Sequence, residues 1–337
     1  MTVIALDAMG GDFAPRVPVE AAVQAVRAEG LEIVLVGDQT LLGRELAKRR
    51  HDPARIRIRH ASQHIGMDEA ATSLLRGKPD ASVRVALELV AQGEAHAALS
   101  AGHSGAMMVA AKHVLRTLEG IQRPAILTPL PLRKGVMVLL DSGANVDCKP
   151  GYLVQFAWMG DVYARVVLGL AAPRVGLLSN GSEPGKGNEL AREAFQLLSR
   201  SPLNFVGNVE ARDLFKSKAD VLVTDGFTGN LVLKTAEAAN EQVRALTREA
   251  LGISWLARLG ARLTKGVYQR LEQRKDPREI GGSLLLGVNG VAMVCHGASN
   301  ARALHNAIRR TRLCVETGLV ERLAREFRER GQVAGGK

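Results

Sequence analysis

Aromatic residues are scarce in this chain of 337 residues, at 4%, so its core has to be built from Val, Leu, Ile and Ala, which fill parallel sheets and the helices that cover them. Cysteine is as sparse. Cys148, Cys295 and Cys314 are odd in number and widely spaced, which excludes a disulfide framework and suits a reduced, cytoplasmic compartment. Ahead of the first apolar run at Val3 there is no charged-then-apolar leader. The long uncharged stretch 280–300 could cross a bilayer core of about 30 Å, but Ser283, Asn289, His296 and several glycines interrupt it, so buried strand and loop are expected. Zinc-finger spacing, aromatic stacking platforms and helix-turn-helix signatures are also missing, which argues against nucleic acid as a partner.

What is present is an ordinary globular balance, 46% hydrophobic and 23% charged, with a formal net charge of +11. The excess is concentrated late in the chain. Residues 244–278 carry nine Lys/Arg against three Asp/Glu, and residues 302–330 carry eight against four. Such a surface suits an acidic protein or an anionic membrane, with a plainly solvated arginine-rich face as the alternative.

Short apolar runs repeatedly end in Gly, Asp, Asn or Ser and pass into helical patterns, the βα rhythm of a largely parallel sheet. The runs are residues 3–6, 33–36, 97–99, 136–140, 175–178 and 221–223. They predict an α/β fold with helices on both faces, one body over 1–330, and a frayed tail at 331–337. Within it, residues 252–276 read as a protruding, basic, amphipathic helical hairpin. Trp255, Leu256, Leu259 and Leu263 fall near helical spacing there, with arginines elsewhere around the turn. That segment suits either a helix lying in an anionic membrane interface or one sealing a dimer or core.

In open α/β sheets ligands sit beyond the carboxyl ends of strands, so the loops there are expected to converge on one sheet edge. Glycines let backbone N–H groups approach a phosphate, and the following helix start offers unpaired donors. Asp7-Ala8-Met9-Gly10-Gly11-Asp12 and Ser100-Ala101-Gly102-His103-Ser104-Gly105 have this form. Asp7, Gly10, Gly11, Asp12, Ser100, Gly102, His103 and Ser104 are therefore candidates for binding phosphate or substrate, with Asn145 of Asp141-Ser142-Gly143-Ala144-Asn145. Asp225-Gly226-Phe227-Thr228-Gly229-Asn230 opens another helix. Asn230 and Thr228 can donate without carrying charge, while Asp225 either joins the site or caps the helix. Lys186, before Asn188, could neutralise a phosphate or a developing oxyanion. The surrounding glycines only superficially resemble a nucleotide P-loop, because Gly187 stands where a magnesium-binding Ser or Thr belongs. No third partner completes a triad with His103 and Ser104, and no dinucleotide fingerprint occurs. The strand-end aspartates are not brought together by sequence, and neither metal nor cofactor is assigned.

Together these segments resemble the bacterial phosphate acyltransferase (PlsX) family, joined by Lys186-Gly187-Asn188-Glu189, Phe205-Val206-Gly207-Asn208-Val209-Glu210 and His296-Gly297. The resemblance implies transfer of a fatty acyl group from acyl-carrier-protein thioester to inorganic phosphate, supplying acyl phosphate for phospholipid synthesis. It implies a fold like that of isocitrate and isopropylmalate dehydrogenases, a homodimer and visits to the membrane. It adds Asn188, Asn208, Gly226, Gly229 and His296 to the binding set, and Lys186 and Asn230 are the expected catalytic pair, stabilising the tetrahedral oxyanion. Two pairs depart from the family pattern: His103-Ser104 where Asn-Thr is usual, and Pro184-Gly185 where a bulkier pair is common. The competing readings are a short-chain enzyme using coenzyme A thioesters, a dehydrogenase, and a non-catalytic membrane-associated scaffold of lipid enzymes.

Overall fold

The computed structural model describes residues 1–133, 135–252, 260, 262–264, 266 and 281–335. Among the described residues eleven strands form one sheet. In chain order they are β1 (Val3–Asp7), β2 (Glu32–Gly37), β3 (Ile56–His60), β4 (Ala97–Ser100), β5 (Ala125–Pro131), β6 (Val136–Leu140), β7 (Val175–Ser179), β8 (Phe205–Glu210), β9 (Val221–Val223), β10 (Ser283–Leu286) and β11 (Val291–Val294). The helices are α1 (Arg16–Glu29), α2 (Gln39–Ala47), α3 (Ser73–Arg76), α4 (Ser82–Ala91), α5 (Ser104–Val114), α6 (Pro150–Val166), α7 (Glu189–Ser199), α8 (Gly226–Gly252), α9 (Ala301–Glu316) and α10 (Leu319–Gly335).

The six anticipated runs are β1, β2, β4, β6, β7 and β9, and the uncharged stretch resolves into β10 and β11. Central strands are apolar along their whole length because both faces are covered. On β1, Ile4 and Leu6 pack into one core with α1, α6 and α9, while Ala5 faces a second core with α4 and α5. At the outer edge, β3 alternates isoleucine with Arg57 and Arg59, charges that blunt an edge strand against further pairing. α10 runs to Gly335, into the segment expected as a tail. Most of the expected hairpin, including Trp255, Leu256 and Leu259, lies outside the described residues. Leu263 is described and is 81% exposed.

The strand order is β3-β2-β1-β4-β11-β10-β5-β6-β9-β7-β8. β3, β2, β1, β4 and β11 run parallel to one another, as do β6, β9, β7 and β8. β10 and β5 join the two groups through antiparallel pairings, so the groups point in opposite directions. On direction alone their carboxyl ends would lie at opposite sheet edges. A stagger along β5 prevents this. Ala125, Ile126 and Leu127 pair with β10, whereas Thr128, Pro129, Leu130 and Pro131 pair with β6. The carboxyl end of β6 and that of β11 therefore arrive at the same level, the middle of β5. The convergence expected at one sheet edge is found at this internal seam.

Close packing at the seam requires glycine. A Cβ at Gly229, in the first turn of α8, would lie 1.9 Å from the carbonyl oxygen of Asp141. Gly229→Ala should therefore lower the unfolding free energy by about 3 kcal/mol, as overpacking of a closed site does. Denaturant titration checks this, and an unchanged midpoint would show that α8 can move aside.

Candidate active site

Two buried carboxylates organise the loops on either side of the seam. Asp7, at the end of β1, accepts the Ser100 hydroxyl at 2.6 Å and the Met9 N–H at 3.1 Å, and Ser100 Oγ in turn accepts the Gly102 N–H at 3.0 Å. Gly10 fits against this cluster because a Cβ there would lie 2.7 Å from Asp7 Oδ2 and 2.8 Å from the Gly102 nitrogen. Gly11 has a φ of +99°, which favours glycine. The Asp12 N–H then donates to the carbonyl of Gly297, tying the β1 loop to the turn after β11.

Asp141, at the end of β6, is fully buried and accepts five N–H donors. These come from Ile126, Gly143, Ala144 and both the backbone and side chain of Asn145. Asn145 Nδ2 also donates to the carbonyl of Pro124, and the Asn145 carbonyl accepts from Gly226. The Asn145 amide is thus occupied within the loop it shapes. Burial pushes the carboxyls of both Asp7 and Asp141 above their ordinary range, with the hydrogen bonds opposing that rise.

Several other predicted residues shape helix starts. His103 caps α5, its Nδ1 accepting the Ala106 N–H, so a neutral ring carries its proton on Nε2. Asp225 accepts from the Thr228 N–H and hydroxyl, which sets the first turn of α8. Asn188 caps α7 by accepting the Ala191 N–H.

Between the two loop groups lies a cavity of about 300 Å³. Of the predicted set it is lined by Ser104, Asn230 and His296. Asp141 holds Gly143 through its N–H, and the Asp7–Ser100 pair holds Gly102, two residues before Ser104. Lys186, Asn188 and Asn208 are not among its lining residues. Lys186 is exposed in the loop after β7, which runs parallel beside β9 and therefore flanks the loop carrying Asn230. That loop is pinned where the Asn180 side chain accepts the Gly187 N–H and where Asn208 donates to the Glu183 carbonyl. Asn208 Oδ1 and Ser179 Oγ are buried there without a hydrogen-bond partner among the described residues.

The cavity also has walls that the motifs did not indicate. From Asn230 onward, Lys234, Glu237, Glu241 and Arg244 line it from one side of α8, and their spacing of three and four residues could have shown this. Thr128, Ser142 and Ser283 contribute hydroxyls from three different strands or strand ends. A polar Thr128 inside an otherwise apolar run was the available signal for that group. On the far side of the Asp141–Asn145 turn is a second cavity, of about 440 Å³, with Leu75, Met108, Val109, Pro124 and Ala144 in its lining. Lys112, His113 and Arg123 also line it, and all three are exposed.

A cavity of hydroxyls, amides and a lysine at glycine-bearing helix starts suits a small oxyanion. The model of the fatty acid synthesis protein family matches residues 2–322. The chain belongs to this family. A phosphate acyltransferase of Geobacter sulfurreducens is 49% identical over 324 residues, covering 96% of this chain and 94% of that protein. Membership makes the chain an enzyme of acyl transfer to phosphate. In shape it is similar to a phosphotransacetylase from Streptococcus pyogenes, with a TM-score of 0.63 at 18% identity over 93% of this chain and 94% of that one. A 4-hydroxythreonine-4-phosphate dehydrogenase from Klebsiella pneumoniae gives 0.54 at 14% identity, over 94% and 100% of the two chains. Both likenesses concern the fold, and they bear out the dehydrogenase-like architecture.

The raised carboxyl of Asp7 has a consequence for stability. The native state holds that proton to higher pH than the unfolded chain, whose aspartate titrates near pH 3.9. Asp7 therefore contributes stability that is full below about pH 3.9 and is lost as pH climbs through the native value. The stability of wild type relative to Asp7→Asn should fall across that window and then level off. Urea titrations of both proteins over a pH series measure it, and a difference that grew with pH would reverse the assignment.

Proposed function

We propose that this enzyme transfers a fatty acyl group from acyl-carrier-protein thioester to inorganic phosphate. An ionised phosphate oxygen attacks the thioester carbonyl, a C–O bond forms, the C–S bond breaks, and the carrier thiolate leaves and takes a proton from water. Acyl phosphate is released for phospholipid synthesis. The observation that carries this reading is the cavity at the seam, where Asn230, Ser104 and His296 from both halves of the sheet meet around a space lined by Lys234. Phosphate is already an anionic nucleophile and a thioester is already activated, so positioning and charge stabilisation suffice.

In this reading phosphate lies between the start of α5 and the hydroxyls at the seam, while Asn230 and Lys186 stabilise the tetrahedral oxyanion. The glycine loops of Asp7 to Asp12 and Ser100 to Gly102 act through their shape, since the Ser100 hydroxyl is given to Asp7. The acyl chain extends past Gly143 towards the cavity of Met108, Val109 and Ala144. The enzyme works in the cytoplasm as a homodimer, and exposed apolar residues of α8, Phe227 and Leu231 among them, are available to a second copy. The basic C-terminal third receives the acidic carrier protein, and the segment around Trp255, Leu256, Leu259 and Leu263 touches an anionic membrane.

Asn230→Ala and Lys186→Ala should each lower kcat by about a hundredfold in a folded protein, the usual effect of losing one oxyanion donor. The assay is phosphate-dependent loss of acyl thioester, run with carrier-protein and coenzyme A donors side by side. Wild-type turnover in Lys186→Ala would remove that residue from the mechanism, and preference for short coenzyme A thioesters would favour the short-chain alternative.

Rim charges act mainly on encounter rate. Efficiency with the carrier-protein donor should therefore fall steeply as salt is added, and stopped-flow measurement across a salt series reads it. A flat profile would leave the basic surface without this role.

A further inference from the structure

Three hydroxyls cross the seam in a continuous chain. Thr128 Oγ1 lies 2.6 Å from Ser142 Oγ and 2.7 Å from Ser283 Oγ, and all three residues line the cavity. Each hydroxyl has a single proton, so one fixed end determines every direction. That end is the Ile126 carbonyl, which can only accept and which takes the Ser142 proton at 3.1 Å. When all three hydroxyl contacts are made, Ser142 accepts from Thr128 and Thr128 accepts from Ser283. The Ser283 proton is spent inside the wall. Its oxygen keeps lone pairs, has no other hydrogen-bond partner among the described residues, and can offer a ligand nothing but an acceptor.

An ionised oxygen placed against such an acceptor is repelled, whereas a protonated one can donate to it. Around it Lys234, the Asn230 amide and the His296 Nε2 offer donors, while Glu237, which holds Lys234 at 2.9 Å, and Glu241 add carboxylates along α8. His296 keeps that role because its Nδ1 accepts the Ala298 N–H. Near neutral pH inorganic phosphate carries at least one P–OH, whereas sulfate carries no proton to give.

We infer that Ser283 Oγ recognises the protonated oxygen of the phosphate substrate, so that the site selects hydrogen phosphate over fully ionised oxyanions of the same size. This rests on the phosphate-transfer reading above. Holding the P–OH at Ser283 also turns an unprotonated oxygen toward the thioester. The proton stays on phosphate throughout, since a chain that ends on a carbonyl has no onward acceptor. Ser283 is thus a specificity residue for the nucleophile, and Thr128 and Ser142 are positioning residues that set its polarity.

The test compares phosphate with sulfate by calorimetric titration of the full-length protein, and by phosphate KM and sulfate inhibition in the thioester assay. Wild type should bind phosphate at least about tenfold more tightly than sulfate, the worth of one good hydrogen bond. In Ser283→Ala the phosphate KM should rise by about that factor while sulfate binding holds or improves, so the preference disappears. Ser283→Thr, which keeps the acceptor, should restore it. Thr128→Val frees the Ser283 proton to point into the cavity, and sulfate should then inhibit more strongly than in wild type. Equal weakening of both anions in Ser283→Ala, or an unchanged preference in both Ser283→Ala and Thr128→Val, would overturn the inference. Because the titrations need no turnover, they remain decisive if the acyl donor proves to be different. Absence of phosphate-dependent thioester loss with any donor would instead count against the proposed function.

Discussion

The pairing of β5 with two neighbours at different heights is the constraint on which the rest of this structure depends. A sheet whose halves run in opposite directions would normally carry its strand-end loops on opposite sides, out of reach of one another. Here β5 gives its first residues to β10 and its last to β6. Thr128 sits at the changeover, and its hydroxyl bridges both sides through Ser283 and Ser142. Without that stagger, Asn230 and His296 would not face one cavity.

On each side of the seam a buried aspartate performs the same service. Asp7 and Asp141 follow oppositely directed strands, one in each half, and gather the N–H and O–H donors of the loops around them. A buried polar loop would otherwise leave those donors unpaired, at about 1–3 kcal/mol each. The glycines supply the complementary half of the arrangement, since Gly10, Gly226 and Gly229 stand where any Cβ would overlap backbone or carboxylate. Rigid loops follow from these two features together, and rigidity is what a site working by positioning requires.

The motif residues consequently divide into two groups. Ser104, Asn230 and His296 present themselves to the cavity. Asp7, Ser100, Asn145, Asp225 and His103 hold backbone in place, and residue type alone could not separate these uses, because an aspartate or asparagine at a strand end serves equally well as cap, as loop organiser and as ligand. Lys186 occupies an intermediate position, adjacent by strand order yet outside the cavity wall. The hydroxyl chain is illegible in motifs for a different reason: Thr128 and Ser283 are 155 residues apart, on strands that meet only in the folded sheet.

By itself the sequence determined the strands, the turns that end them and the chemistry they belong to. Those properties are local: an apolar run of strand length with a glycine and an aspartate behind it behaves the same way in most surroundings. Tertiary structure alone decided that the loops meet at a seam inside the sheet instead of at its edge, and which polar groups remain available after internal hydrogen bonds are made. Strand direction, register and the polarity of a hydroxyl chain are set by partners distant in sequence, and no single segment carries that information.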